Sequence, residues 1–171
     1  MRIAGSLVFV LIISSFAFGQ KGGGTVAVGS QPTFAALDMN GARIDTAALR
    51  GKVVVINLWF VNCPNCVEEI ALLNKLVDDN AGNRDLVFLG LAASSKPVLE
   101  KFLAKNPFKY TVVPNAQMII LGKFGLPDAK GGIDVPFPMH FVLDRTGKIV
   151  MKEQGIKGVD AVRAELAKQL R

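Results

Sequence analysis

Cysteine is almost absent from this chain: there are two in 171 residues, Cys63 and Cys66, beside a single histidine, His140, one tryptophan and one tyrosine. Two cysteines cannot build the multi-bridge framework of a small disulfide scaffold. One cysteine pair with one histidine also falls short of the four ligands of a structural zinc site. Internal repeats are absent, and no low-complexity tract exists beyond Gly22-Gly23-Gly24. The net charge of +6 comes from lysines and arginines scattered along the chain and not interleaved with aromatics, which argues against nucleic-acid binding. The charge is read as solubility with a mild preference for acidic partners or membrane surfaces. Lysine and arginine are missing altogether between Lys52 and Lys75, the stretch that holds both cysteines.

A full membrane-spanning run is lacking as well. Ile3 to Phe18 is nearly free of polar residues but shorter than the roughly 20 residues a spanning helix needs. Arg2 ahead of it and the small residues Ala17 and Gly19 behind it mark residues 1–19 as a secretory signal peptide, cleaved after Gly19. An uncleaved anchor is the alternative. No cysteine follows the run, so a lipoprotein anchor is not expected. A glycine-rich, flexible lead-in is expected over residues 20–29, and one domain over residues 30–171, large enough to bury a real core. The expected location is periplasmic or secreted, where a thiol pair can persist as a disulfide.

Along the mature chain, residues 32–38 read as extended, Asn40-Gly41 as a hairpin turn, and Arg43-Ile44-Asp45 as the return strand. "VVVINLWF", residues 53–60, is a continuous, β-branched apolar run of the kind buried on both faces at the centre of a sheet. A helix is expected over residues 63–80, with Asn62 or Cys63 as cap, Pro64 in the first turn, Gly82 past its end, and Ile70, Leu73 and Val77 facing inward. Strand, helix, strand and helix follow over residues 86–92, 96–105, 110–113 and 116–124. A hairpin around Arg145-Thr146-Gly147-Lys148 and a helix over residues 159–169 close the chain. This order predicts an α/β fold, a central mixed β-sheet flanked by helices on both faces.

Cys63 falls where a strand hands over to a helix, beside free backbone N–H groups that favour the thiolate, the reactive form of the side chain. Cys66 lies one turn on and shares a face with Ile70, Leu73 and Val77, so it is expected to be the more buried sulfur. One activated thiol beside a sheltered one suits thiol–disulfide exchange: Cys63 attacks and Cys66 resolves. A purely structural staple is the weaker reading, because closing so short a loop is worth only about 2 kcal/mol.

"LRGKVVVINLWFVNCPNCVEEI" resembles the active-site segment of the extracytoplasmic thioredoxin-like oxidoreductases, the TlpA/ResA-like group, and "PMHFVLDRTGKIV" resembles its later hairpin. The resemblance covers essentially the whole mature chain. It implies a thioredoxin-like fold with an N-terminal β-hairpin extension, protein thiols and disulfides as substrates, and no cofactor. It also implies a cis-proline at Pro138 facing the cysteines, so that Phe137 and Pro138, with Trp59, form the substrate-binding side of the site. A membrane electron donor and a monomeric state are expected.

Several positions depart from the wider thioredoxin pattern. Asn57 stands where a buried acid is common, Asn62 replaces a tryptophan, and residues 128–134 are inserted beside the presumed substrate groove, as a groove wall or a solvated loop. His140 and Asn57 are candidates for a proton relay to Cys66, histidine having a suitable pKa range; a histidine simply packed in the core is the plainer reading. Glu69 completes a CxxCxxE run and is read as a first-turn carboxylate favouring the helix N-terminus. The absence of nearby cations and the presence of Glu68 and Glu69 tilt the expectation toward a reductant or isomerase. The alternative from another class is a copper-binding chaperone using Cys63, Cys66 and His140. A thiol peroxidase would need a Thr/Arg setting around the cysteine that the sequence does not offer.

Overall fold

The computed structural model describes residues 26–171; the expected signal peptide and most of the lead-in lie outside the described residues. The chain opens with the antiparallel hairpin β1 (Ala35–Leu37) and β2 (Arg43–Asp45). Asp38 shapes its turn by accepting hydrogen bonds from the Asn40 and Ala42 N–H groups, both at 2.8 Å, and Gly41 takes the left-handed backbone the turn requires, with φ 83°. Strand β3 (Val53–Trp59) is buried at every position, as an unbroken β-branched run demands. It pairs in parallel with β4 (Leu86–Ala92), which pairs in parallel with the edge strand β5 (Thr111–Val113). On its other side β3 pairs antiparallel with β8 (Met139–Leu143), and β8 with β9 (Ile149–Gln154). The sheet order is β5-β4-β3-β8-β9, a thioredoxin-like mixed sheet.

Helices α1 (Pro64–Glu68), α2 (Ile70–Asp79), α3 (Lys96–Leu103), α4 (Gln117–Phe124) and α5 (Gly158–Gln169) cover this sheet. Strand alternation divides its side chains between two cores. Val54, Ile56 and Leu58, with Leu89, Phe141 and Leu143, meet Ile120 and Phe124 of α4 and the N-terminal hairpin. Val53, Val55 and Val142 meet Leu73 and Leu76 of α2 and Val159, Val162 and Leu166 of α5. Each such side chain, fully buried, contributes about 1.5–3 kcal/mol.

Three expectations need correction. The helix over residues 63–80 is two helices parted at Glu69, and the second turns Leu76 inward, leaving Val77 half-buried. Within the expected flexible lead-in, Val26 is buried in the core, and the Gly29 N–H donates to the Ile149 carbonyl at 2.7 Å. The chain there covers the outer edge of β9, which would otherwise present unpaired backbone. The insert is not a plain loop: with Leu126–Pro127 it forms a small hairpin, β6 (Leu126–Pro127) with β7 (Ile133–Asp134), its tip folded around the Asp128 carboxylate.

Helix α5 starts against the ring of His140, and only a glycine fits there. A Cβ on Gly158 would fall inside the van der Waals surface of the His140 ring. Gly158→Ala is therefore expected to cost about 1–3 kcal/mol, the usual penalty of overpacking. Urea denaturation measures it, and an unchanged midpoint would mean that the ring has room to move.

Candidate active site

Strand β3 ends at Trp59, and a turn over residues 60–62 delivers Cys63 to the start of α1. Ser94, after β4, accepts a hydrogen bond from the Val61 N–H through its Oγ at 3.1 Å and pins that turn. Cys63 takes an extended backbone, φ −94° and ψ 106°, and caps α1, its Sγ accepting the Cys66 N–H at 3.2 Å. Pro64 suits the first turn because its missing N–H would have no intrahelical partner. Cys63 and Cys66 are joined as a disulfide. The N–H that now points at a disulfide sulfur would point at a thiolate after reduction and stabilise it. Cys63 is 5% exposed and Cys66 2%, so the expected contrast between an open and a sheltered sulfur is small in the disulfide state.

The acid absent from the strand arrives on the helix. Glu69, expected as a first-turn carboxylate favouring the helix N-terminus, stands between α1 and α2 and is fully buried. Asn57 donates from Nδ2 to its Oε1 at 2.8 Å, and His140 Nε2 lies 3.1 Å from its Oε2. Asn57 and His140 are direct partners across β3 and β8, so one row of the sheet presents both side chains to the same carboxylate. His140 therefore stands beside Asn57 as expected, but its ring nitrogen goes to Glu69. The spacing of Glu69 from Cys66, three residues and hence the same helix face, was a legible sign of its importance. Nothing in a linear reading shows that this face meets the sheet where Asn57 and His140 stand.

Tyr110, just ahead of β5, was missed entirely. Its hydroxyl donates to Asn57 Oδ1 at 3.4 Å, reaching over Gly90 of β4, where a side chain would crowd both Tyr110 and Trp59 at 3.0 and 3.1 Å. Burial, and then the charge of Glu69, push the Tyr110 phenol well above its ordinary value of 10.0.

The Phe137–Pro138 peptide bond is cis. Phe137 packs against the cluster that holds both cysteines, and its ring meets Phe60 edge-on with centroids 5.1 Å apart. Phe60, not foreseen from the sequence, thus joins Phe137 beside the disulfide. Trp59, expected among the substrate contacts, is fully buried; it stacks on Phe108 at 4.5 Å beneath the cysteines and cannot touch a docked chain. Cys63, Cys66 and His140, the set of the copper alternative, are not gathered into one cluster. Among the described residues no cluster of three His, Cys, Asp or Glu side chains is placed to hold a metal.

Residues 27–170 match the family model described as Redoxin. The chain belongs to the Redoxin family. Within it, this Redoxin protein is TlpA/ResA-like. It is 26% identical over 150 residues to the thiol-disulfide oxidoreductase ResA of Bacillus thuringiensis (strain Al Hakam), spanning 86% of this chain and 79% of that one. It is 28% identical over 103 residues to the soluble secreted antigen MPT53 of Mycobacterium bovis, 60% of this chain and 58% of that one. Its fold superposes with a TM-score of 0.70 on a crystal structure titled as a thiol:disulfide interchange protein DsbE from Chlorobium tepidum, at 20% identity, covering 86% of this chain and 100% of that one.

Two outcomes are expected of this Redoxin site. Glu69→Ala strands the Asn57 amide and the His140 ring without their shared acceptor and is expected to cost about 1–3 kcal/mol for each donor left unsatisfied, read by urea denaturation. A loss below about 1 kcal/mol, the worth of a single ordinary hydrogen bond, would mean the pair is not buried in solution. The lone tyrosine gives a second readout. Because the folded state holds the phenol's pKa up, this contribution to stability is full below about pH 10 and falls as pH rises above it, where the unfolded chain ionises first. Phenolate absorbance should therefore lag an unfolded control on alkaline titration; coincident curves would refute the burial of Tyr110.

Proposed function

We propose that this protein is an extracytoplasmic thiol–disulfide oxidoreductase that reduces or isomerises protein disulfides through Cys63 and Cys66. The observation that carries the reading is the cysteine pair itself, joined at a strand-to-helix junction with the Cys66 N–H directed at the Cys63 sulfur. In the reduced protein the Cys63 thiolate attacks a substrate disulfide, forming a mixed disulfide and releasing one substrate thiolate, which takes a proton from solvent. Cys66 then gives its proton to the Glu69 carboxylate and attacks the Cys63 sulfur. The Cys63–substrate bond breaks, the second substrate thiolate leaves, and the Cys63–Cys66 disulfide forms. Two electrons pass to the substrate, and a two-electron donor, expected at the membrane, restores the dithiol.

Glu69 is assigned as proton acceptor because it is buried three residues after Cys66, on the same helix face. Phe137 and Pro138 form the docking ledge for an extended substrate segment, with Phe60 widening its apolar surface. The reducing direction is supported by the absence of any lysine or arginine between Lys52 and Lys75 and by the acidic residues that follow Cys66. A thiolate with so little cationic support makes a less oxidising disulfide. Export is supported by the apolar N-terminal run and by the similarity to MPT53, a soluble secreted antigen. The protein is expected to act as a monomer.

Equilibration in defined thiol buffers, followed by the fluorescence of Trp59 beneath the disulfide, should give a reduction potential near about −270 mV. A value near about −120 mV would reverse the direction assigned here. Cys66→Ser should accumulate a mixed disulfide through Cys63, and failure to trap one would refute the division of roles.

A further inference from the structure

Glu69 is the third member of a chain of four side chains, and the polarity of that chain is set at its far ends. At one end stands Tyr110. Its phenol keeps its proton, because burial and the nearby Glu69 charge both oppose ionisation. Toward Asn57 it can therefore act as a donor, and it donates to Oδ1. With Oδ1 so engaged, the amide turns Nδ2, its donor atom, toward Glu69 Oε1 at 2.8 Å. At the other end stands His140, fully buried with Nε2 at 3.1 Å from Glu69 Oε2. Its Nδ1 has no hydrogen-bond partner among the described residues. A proton on Nδ1 would be an orphaned buried N–H, a rarer and costlier defect than an orphaned acceptor, so the proton belongs on Nε2, where it donates to Glu69. Both carboxylate oxygens thus face an N–H, and neither neighbour offers an acceptor for a Glu69 O–H.

Resting on the assignment of Glu69 as acceptor of the Cys66 proton, we propose that Tyr110, acting through Asn57, and His140, acting directly, are positioning residues that aim one N–H donor at each oxygen of Glu69 and hold it ready to receive that proton. The titratable groups facing Glu69 are His140 on β8 and Tyr110 ahead of β5, with Cys66 three residues before it in α1; α5 meets the His140 ring through Gly158, which carries no charge. Gly90 and Gly158 are the two backbone positions whose missing side chains admit the Tyr110 and His140 rings.

The two thiol steps can be timed separately with an aromatic disulfide whose thiolate absorbs visibly, 5,5′-dithiobis(2-nitrobenzoate). Attack by Cys63 on the reagent releases the first thionitrobenzoate, and attack by Cys66 on the mixed disulfide releases the second. Tyr110→Phe and His140→Leu are each expected to slow the second release roughly tenfold at neutral pH, the worth of one net hydrogen bond, and to move its pH profile upward, leaving the first release unchanged. His140→Gln, which keeps an N–H, should recover most of the second rate. If Tyr110→Phe and His140→Leu change the unfolding midpoint but keep the wild-type pH profile of the second release, the positioning roles are refuted. If His140→Leu does not fold, Tyr110→Phe decides alone, since it deletes one atom that reaches Glu69 only through Asn57. Glu69→Gln separates the two layers. A slowed second release in Glu69→Gln with normal Tyr110→Phe and His140→Leu profiles overturns the positioning alone; an unchanged Glu69→Gln overturns the proton-acceptor role beneath it.

Discussion

A carboxylate with no exposed surface has to be answered from every side, and much of the architecture around the cysteines answers Glu69. Desolvation of an unpaired carboxylate would cost several kcal/mol, so its oxygens need donors fixed in place before folding can bury it. Those donors come from neighbouring strands of one sheet, Asn57 on β3 and His140 on β8, held opposite each other by register. The demand spreads outward from there. α5 must begin with a glycine to clear the His140 ring, and β4 must carry a glycine beside Asn57 to let Tyr110 reach over it. The helix that follows the cysteines breaks at the residue whose side chain enters the sheet.

The chemistry is divided between two environments a few residues apart. Cys63 sits at a helix start whose backbone supplies an N–H to its sulfur, with an aromatic ledge of Phe60 and Phe137 alongside. Cys66 lies within α1, three residues before the fully buried Glu69. No lysine or arginine lies between Lys52 and Lys75, so within this segment the backbone N–H at the helix start is the support a Cys63 thiolate would have.

Much of the fold was legible in the chain itself. The apolar run at residues 53–60 could only be a central strand, Asn40-Gly41 gave the N-terminal turn, and the alternation of strand and helix patterns led to a mixed sheet. The cysteine spacing led to the site. The misreadings at the site have one common origin: each concerned a residue whose surroundings are set by a neighbour distant in sequence. Glu69 reads as an ordinary first-turn acid until Asn57 and His140, 12 and 71 residues away, are brought to it. Trp59 reads both as packing beneath the active site and as a substrate contact, and Phe108 stacked on it leaves only the first. Tyr110 carries no local signal at all; 53 residues separate it from Asn57. The glycine-rich lead-in looks free until its end is seen pairing with β9.

By itself the sequence determined most of the strands and helices, the spacing of the two cysteines and the lack of lysine or arginine between Lys52 and Lys75, because periodicity, turn chemistry and residue type act over a few neighbouring positions. Only the tertiary structure decided that Glu69 is buried and which side chains meet its carboxylate. That outcome depends on the register of β8 against β3 and on the helix laid across them, and register is a property of paired strands that no single stretch of chain contains.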